Sequence, residues 1–186
     1  MKKYLASFSI LSANEIEHFV SETQSRKLSK GEFFIKEGNV CKEVAFIQSG
    51  VLRSFYVDAN AYEHTYCITF PNQFMTAYSS FITGDKTVEN IQAVSDVELL
   101  IVKKEVIDIL VQSSINGLRL LKTIAEQQYI QLEKRIFMYQ KDSAKQRYVE
   151  LLKNQPDYIK QIPVKYLASF LGITSRHLSR LRRAVI

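Results

Sequence analysis

Glycine and proline are scarce, six and three in 186 residues, which argues against a disordered or fibrous chain. The two cysteines, Cys41 and Cys67, supply neither a disulfide framework nor a metal knuckle. No run of about 18 apolar residues occurs, so no membrane-spanning helix and no membrane partner are expected. Behind Met1-Lys2-Lys3-Tyr4 the apolar stretch is interrupted by Ser7, Ser9 and Ser12, which does not fit a secretion signal. A cytoplasmic location is the resulting expectation. Acidic residues are absent after Asp157, and arginine is absent between Arg53 and Arg119.

The missing acids make the charge one-sided. The net +6 comes from Lys160, Lys165, Arg176, Arg180, Arg182 and Arg183, because the other 19 cations are matched by 19 carboxylates before residue 158. A neutral body with a cationic end points to a polyanion partner there.

The hydrophobic period changes twice along the chain. Ser12-Ala13-Asn14-Glu15, followed by Ile16, Phe19 and Val20, reads as a capping box that opens a short helix. From about residue 24 to 110, β-branched and aromatic runs alternate with turn residues, as in a sandwich, barrel or jelly roll. Phe33–Ile35, Val44–Ile47, Val51–Val57 and Leu99–Val102 are the clearest strands. Asn90–Val94 and Val97–Leu100 look like a late hairpin of one sheet. A helical stretch then runs from Lys104 to Lys141, with a break expected at Ser113-Ser114. Leu121, Ala125, Gln128, Leu132, Ile136 and Tyr139 recur along it at spacings of three and four, a seam suited to pairing with a second copy.

The segment Val164–Arg183 carries the most specific pattern. Pro163 suits a helix start, Leu167 and Leu171 share an inward face, and Ala168 is small where two helices cross. Gly172 falls at a sharp turn, Ile173 plugs it, and Thr174 is placed to cap a second helix anchored by Leu178 and Leu181. This is the pattern of a helix-turn-helix, and double-stranded DNA is its expected partner. The outward face of the second helix offers Ser175, Arg176, Ser179 and Arg180 to base edges. Lys165, Thr174, His177, Arg182 and Arg183 are expected to hold the DNA backbone.

The chain resembles the cyclic-AMP receptor/FNR (Crp/Fnr) family of transcription regulators along nearly its whole length. Gly31–Gly38 is similar to the family's early strand and turn, Ala45–Arg53 to its following hairpin, and Asn72-Gln73-Phe74 to the approach to its nucleotide cassette. The resemblance implies an α+β fold in three parts. Residues 1–112 would form a β-roll (a cyclic-nucleotide-binding-like jelly roll), 113–141 a long dimerisation helix and hinge, and 142–186 a winged helix-turn-helix. It implies a homodimer through residues 118–139, a near-palindromic operator, and RNA polymerase as a further partner to consider. On the family's Ser-Arg-Glu-x-x-x-Arg reading pattern, Thr174 stands on the Ser, Ser175 on the Arg, Arg176 on the Glu and Arg180 on the last Arg. Two of three base readers are changed, so the operator should differ.

The ligand motif departs further. Where cyclic-nucleotide members carry Gly-Glu and later Arg-Ser or Arg-Thr, this chain has Thr76-Ala77 and Thr87-Val88, with Lys86 the nearby cation. A buried phosphate without a paired cation is costly, so cyclic AMP is not expected as the effector. An unidentified small molecule is left open, with Thr76, Tyr78, Ser79, Ser80, Thr87, Glu89, Asn90 and Gln128 as the candidate lining. Two cysteines are too few for an iron–sulfur sensor, and His18, His64 and Cys67 are weak haem candidates. No enzyme is expected. A cupin needs clustered histidines, and the roll offers His64 with Glu63. A β-roll ligand-binding module without DNA binding stays open as the alternative, with a cupin-like enzyme behind it.

Overall fold

The computed structural model describes residues 1–154 and 156–185, with all side chains there except those of Tyr158 and Val185. Two helices, α1 (Lys2–Ala6) and α2 (Ala13–Ser21), precede eight strands. The strands are β1 (Gln24–Leu28), β2 (Phe33–Ile35), β3 (Glu43–Ser49), β4 (Leu52–Val57), β5 (Glu63–Thr69), β6 (Phe74–Met75), β7 (Asn90–Ala93) and β8 (Val97–Lys103). Helix α3 (Tyr78–Thr83) interrupts them between β6 and β7. Six helices follow: α4 (Lys104–Ser113), α5 (Ile115–Lys141), α6 (Ala144–Asn154), α7 (Pro156–Gln161), α8 (Val164–Phe170) and α9 (Ser175–Val185).

The strands form two four-stranded antiparallel sheets, ordered β1-β8-β3-β6 and β2-β7-β4-β5. This is a jelly roll, and consecutive strands mostly lie in opposite sheets. The hairpin expected from Asn90–Val94 and Val97–Leu100 is therefore corrected: β7 pairs with β2 and β4, while β8 pairs with β1 and β3. Val94 N–H donates to Val51 C=O, and the chain crosses between the sheets at Ser95-Asp96 instead of folding back.

Between the sheets lies one apolar core that includes Ala45, Ile47, Leu52, Ile91, Leu99 and Ile101. Phe46 faces the other way on β3. It meets the Phe74 ring at 5.0 Å and Tyr4 at 6.0 Å, so α1 closes an aromatic outer face. Helices α4 and α5 cross so closely that a Cβ on Gly117 would sit 2.4 Å from Leu110 C=O, which restricts that position to glycine. The break between them at Ser113-Ser114 falls where the sequence places it, with Ser114 Oγ capping Asn116 N–H.

The capping box forms as read: Ser12 Oγ accepts Glu15 N–H, and the Glu15 carboxylate accepts Ser12 N–H at 2.7 Å. Glu15 also receives the Ser114 hydroxyl and the Asn116 amide, tying α2 to the start of α5. Hydrogen bonds from Ser114, from the Ser12 backbone and from Asn116 draw its carboxyl down to about 2. The ionised form is thus favoured in the folded state, whereas an unfolded glutamate titrates near about 4.3. The stabilisation is complete above about pH 4.3 and drains away as pH falls toward 2. Glu15→Gln should flatten the acid limb of stability, read as urea midpoints at pH 6 and pH 3. An equal fall in both proteins would refute the assignment.

After β8 the described residues contain helices and no strand, so the wing expected of the C-terminal part is not found among them. The interval between α6 and α8 holds α7. Pro156 starts that helix at a position that needs no N–H partner.

The outer face of the β2-β7-β4-β5 sheet is covered by α8. Val51, Ile68 and Val94 of the roll share an apolar cluster with Tyr148, Ile162, Leu167, Ala168, Leu171 and Leu178. Arg53 on β4 points into this interface and is 1% exposed. Its guanidinium lies 3.8 Å from the Phe55 ring centroid and 3.6 Å from that of Tyr166. It donates to Glu63 at 2.6 Å and to Gln92 at 2.7 Å. Burial of such a charge is tolerated because acid, amide and both ring faces replace water.

Candidate nucleic-acid interface

Helix α8 ends on a left-handed glycine. Gly172 has φ +68°, its N–H donates to Ser169 C=O, and Ile173 N–H reaches back to Ala168 C=O. These bonds satisfy the last carbonyls of α8 and turn the chain sharply. Thr174 then begins α9, its Oγ1 accepting His177 N–H at 3.2 Å and its carbonyl accepting Leu178 N–H. Leu167, Ala168, Leu171 and Leu178 are each 2% exposed or less, so the angle between the two helices is set by a closed apolar contact.

That contact leaves the opposite face of α9 free. Ser175, Arg176, Ser179, Arg180 and Arg183 are exposed, as are Thr174 and Lys165, while His177 is half-buried. The Ser179 hydroxyl donates to Ser175 C=O at 3.0 Å, which leaves its oxygen available as an acceptor. Lys165 Nζ rests 4.6 Å from the Tyr166 ring centroid, so its stem is oriented while its charge stays in solvent. No acid lies in the first turn of α9, and the helix presents a continuous cationic surface. A helix of this kind, about 10–12 Å across, matches the width of a B-DNA major groove.

Arg182 departs from its expected place. It is half-buried, and its Nε and Nη2 are shielded without a hydrogen-bond partner. It lies one turn beyond the buried Leu178, on the flank of α9 rather than on its outward face. It is removed from the set facing solvent.

Residues outside the motif fix the module. Arg147 on α6 donates to Asp142 C=O at 2.6 Å and to Leu171 C=O at 3.0 Å, spanning the joint between α5 and α6 and the turn before α9. Tyr139 donates its hydroxyl to Phe170 C=O, and its ring lies against Gly172. Tyr139 therefore serves this junction and leaves the seam in which the sequence pattern placed it. Sequence periodicity gives no sign of the Arg147–Leu171 and Tyr139–Phe170 contacts, because they join residues 24 and 31 positions apart.

The expected ligand lining does not converge. Thr76 Oγ1 donates to Glu43 C=O at 2.8 Å, and Asn90 Oδ1 accepts Glu37 N–H at 3.2 Å. Ser80 accepts Cys41 N–H at 2.9 Å and donates to Asp85 C=O. Thr87 Oγ1 accepts Glu89 N–H, and the Glu89 carboxylate receives the Tyr66 hydroxyl. Burial pushes the Glu89 carboxyl above its ordinary range. Tyr78, Ser79 and Gln128 are exposed. A cavity of about 430 Å³ is lined by residues 33–36 and 39–43, and one of about 230 Å³ lies between α2 and α4. None of the eight candidates lines either, and the polar atoms of Thr76, Ser80, Thr87, Glu89 and Asn90 are engaged within the roll.

Residues 25–114 match the family model described as the cyclic nucleotide-binding domain. No curated protein sequence matches the chain. Among solved structures, FixK2 from Bradyrhizobium japonicum is similar with TM-score 0.78 at 14% identity, over 88% of this chain and 84% of that one. The global regulator CLP of Xanthomonas campestris, described as c-di-GMP responsive, gives 0.69 at 17% identity over 94% and 91%. The catabolite activator protein of Thermus thermophilus gives 0.60 at 19% identity over 94% and 84%.

Proposed function

From a chain whose residues 25–114 form a cyclic nucleotide-binding domain and whose fold is that of Crp/Fnr transcription regulators, we propose a DNA-binding transcription regulator that works as a homodimer. The observation that carries this reading is the exposed face of α9, with Arg176 and Arg180 pointing to solvent above a closed apolar hinge of Leu167, Leu171 and Leu178. In this reading Ser175, Arg176, Ser179 and Arg180 meet base edges in the major groove. Lys165, Thr174, His177 and Arg183 hold the flanking phosphates. Two copies paired through residues 118–139 place their α9 helices in successive grooves about 34 Å apart on a near-palindromic site.

The roll is the sensing or scaffolding part. Cyclic AMP is not its ligand in this reading, because the cassette offers Thr76-Ala77 and Thr87-Val88 and no arginine to pair with a phosphate. Among the described residues no helix is long and apolar enough to cross a membrane, and no cluster of three or more His, Cys, Asp or Glu could hold a metal.

The test is binding-site selection from random duplexes, followed by affinity against salt. Lys165 and Arg183, counted twice in a dimer, predict a log–log slope of roughly −4 on the selected site. No selected sequence, or a flat salt response, would leave a β-roll module without DNA binding as the better account.

A further inference from the structure

The larger cavity of the roll lies outside the nucleotide cassette, between β2 and the start of β3. We propose that it is a binding site for a small aromatic carboxylate. The site does not depend on DNA binding.

Its shape is fixed from behind. Residues 36–42 carry the chain from one sheet to the other, since β2 and β3 belong to different sheets. Their backbone is anchored mainly to residues 80–90. Glu37 N–H donates to Asn90 Oδ1 at 3.2 Å, Gly38 N–H to Thr87 C=O at 2.8 Å, and Cys41 N–H to Ser80 Oγ at 2.9 Å. Thr87 N–H returns a bond to Asn39 C=O, and Lys104 N–H holds Lys42 C=O. Asn39 closes the turn, its N–H and Nδ2 both donating to Lys36 C=O. A segment anchored in this way holds its concave side open, and a volume of about 430 Å³ lies in the range of small-ligand sites.

The lining sets the chemistry of the ligand. Phe33 and Phe34 are half-buried, Val40 is exposed and Cys41 is buried, so the wall is apolar and carries two phenyl rings. Such rings favour a further ring packed offset or edge-on against them. The rim is cationic. Lys36 Nζ sits 4.7 Å from the Phe33 ring centroid, and Lys36 and Lys42 are both exposed without a carboxylate partner among the described residues. Glu43, the acid of the lining, is already paired with Arg26 through bonds of 2.7 and 3.0 Å. Two unmatched positive charges beside two rings complement a flat apolar body that ends in an anion. A phosphate would need converging N–H groups, and those of Glu37, Gly38, Asn39 and Cys41 are spent. A carboxylate needs only the lysines. A peptide strand is disfavoured as well. β2 is an edge strand, but its register slips between Phe33 and Ile35, and a bulge blunts an edge against further pairing.

Calorimetric titration and amide chemical shifts of the full chain, without DNA, decide the matter. The probes are naphthoate, the isosteric but uncharged naphthamide, and inorganic phosphate. Naphthoate should bind saturably at one site per chain, with its largest shifts in residues 33–43. Naphthamide should bind about tenfold more weakly, because two solvent-exposed ion pairs are lost. Phosphate should not saturate. Lys36→Gln combined with Lys42→Gln should bring naphthoate down to the affinity of the amide and leave the amide unchanged. Both lysines are exposed, so the variant keeps its fold. Absence of saturable naphthoate binding overturns the proposal, as do shifts centred away from residues 33–43. Equal affinity for naphthoate and naphthamide removes the carboxylate from it, and saturable phosphate binding would make the site one for anions at large; either result overturns it too.

Discussion

Alanine at both Arg176 and Arg180 should abolish recognition of the selected operator while leaving the protein folded. Each arginine that grips a guanine through two hydrogen bonds contributes about 1–3 kcal/mol of discrimination. A dimer presents each residue twice, so a single arginine-to-alanine change costs roughly 2–6 kcal/mol on the operator, and the double variant falls to the level of non-specific binding. Lys165 and Arg183 are untouched, so affinity for unrelated duplex and its salt slope should change little. Both arginines are exposed and make no hydrogen bond among the described residues that stability would feel, so unfolding should shift by less than about 0.5 kcal/mol. Fluorescence anisotropy on operator and scrambled duplexes at one salt concentration separates these quantities. Equal losses on both duplexes would demote the pair to phosphate contacts. Loss of folding would mean that α9 belongs to a packed interior.

Local patterns were the legible part of this molecule. The Ser12–Glu15 box, the break at Ser113-Ser114, the left-handed Gly172 and the Thr174 cap all depend on residues within five positions of one another, and each forms as the sequence indicates. What the sequence concealed is non-local. β7 and β8 are joined by a short turn that looks like a hairpin, yet a jelly roll sends them to different sheets, a choice made by Val51, Asp96 and the remaining strands. Arg53 lies in a strand run with nothing nearby in sequence to mark it as buried, and it is buried because Glu63, Phe55 and a tyrosine 113 positions away replace water around it. Several of the candidate ligand residues show the same effect. Threonine, serine and asparagine in the cassette look available until strands far along the chain supply their partners.

The largest effect outside the reading helix should come from α5. At about 100° per residue, Leu118, Ala125, Tyr129, Leu132 and Ile136 fall within roughly 40° of a common line. Leu118 is 50% exposed, Tyr129 67%, Leu132 56% and Ile136 47%. A helix of 27 residues with that stripe uncovered in one chain is placed to bury it against a second copy. Leu121 is excluded because it packs on the roll core, and Tyr139 because it holds the turn before α9. Leu132→Glu with Ile136→Glu removes four apolar side chains from a two-fold interface, about 1 kcal/mol each for the surface still open, and adds four carboxylates that repel across it. The dimer dissociation constant should rise by about three orders of magnitude or more, read as a change from dimer to monomer mass by light scattering. Gln131→Glu, on the far side of the same helix, also adds a carboxylate and should leave the dimer intact. Because neither altered side chain is buried in the isolated chain, far-ultraviolet circular dichroism should not change. A monomer that keeps full operator affinity would show that the two half-sites are read independently, and the two-fold mechanism would fall with it.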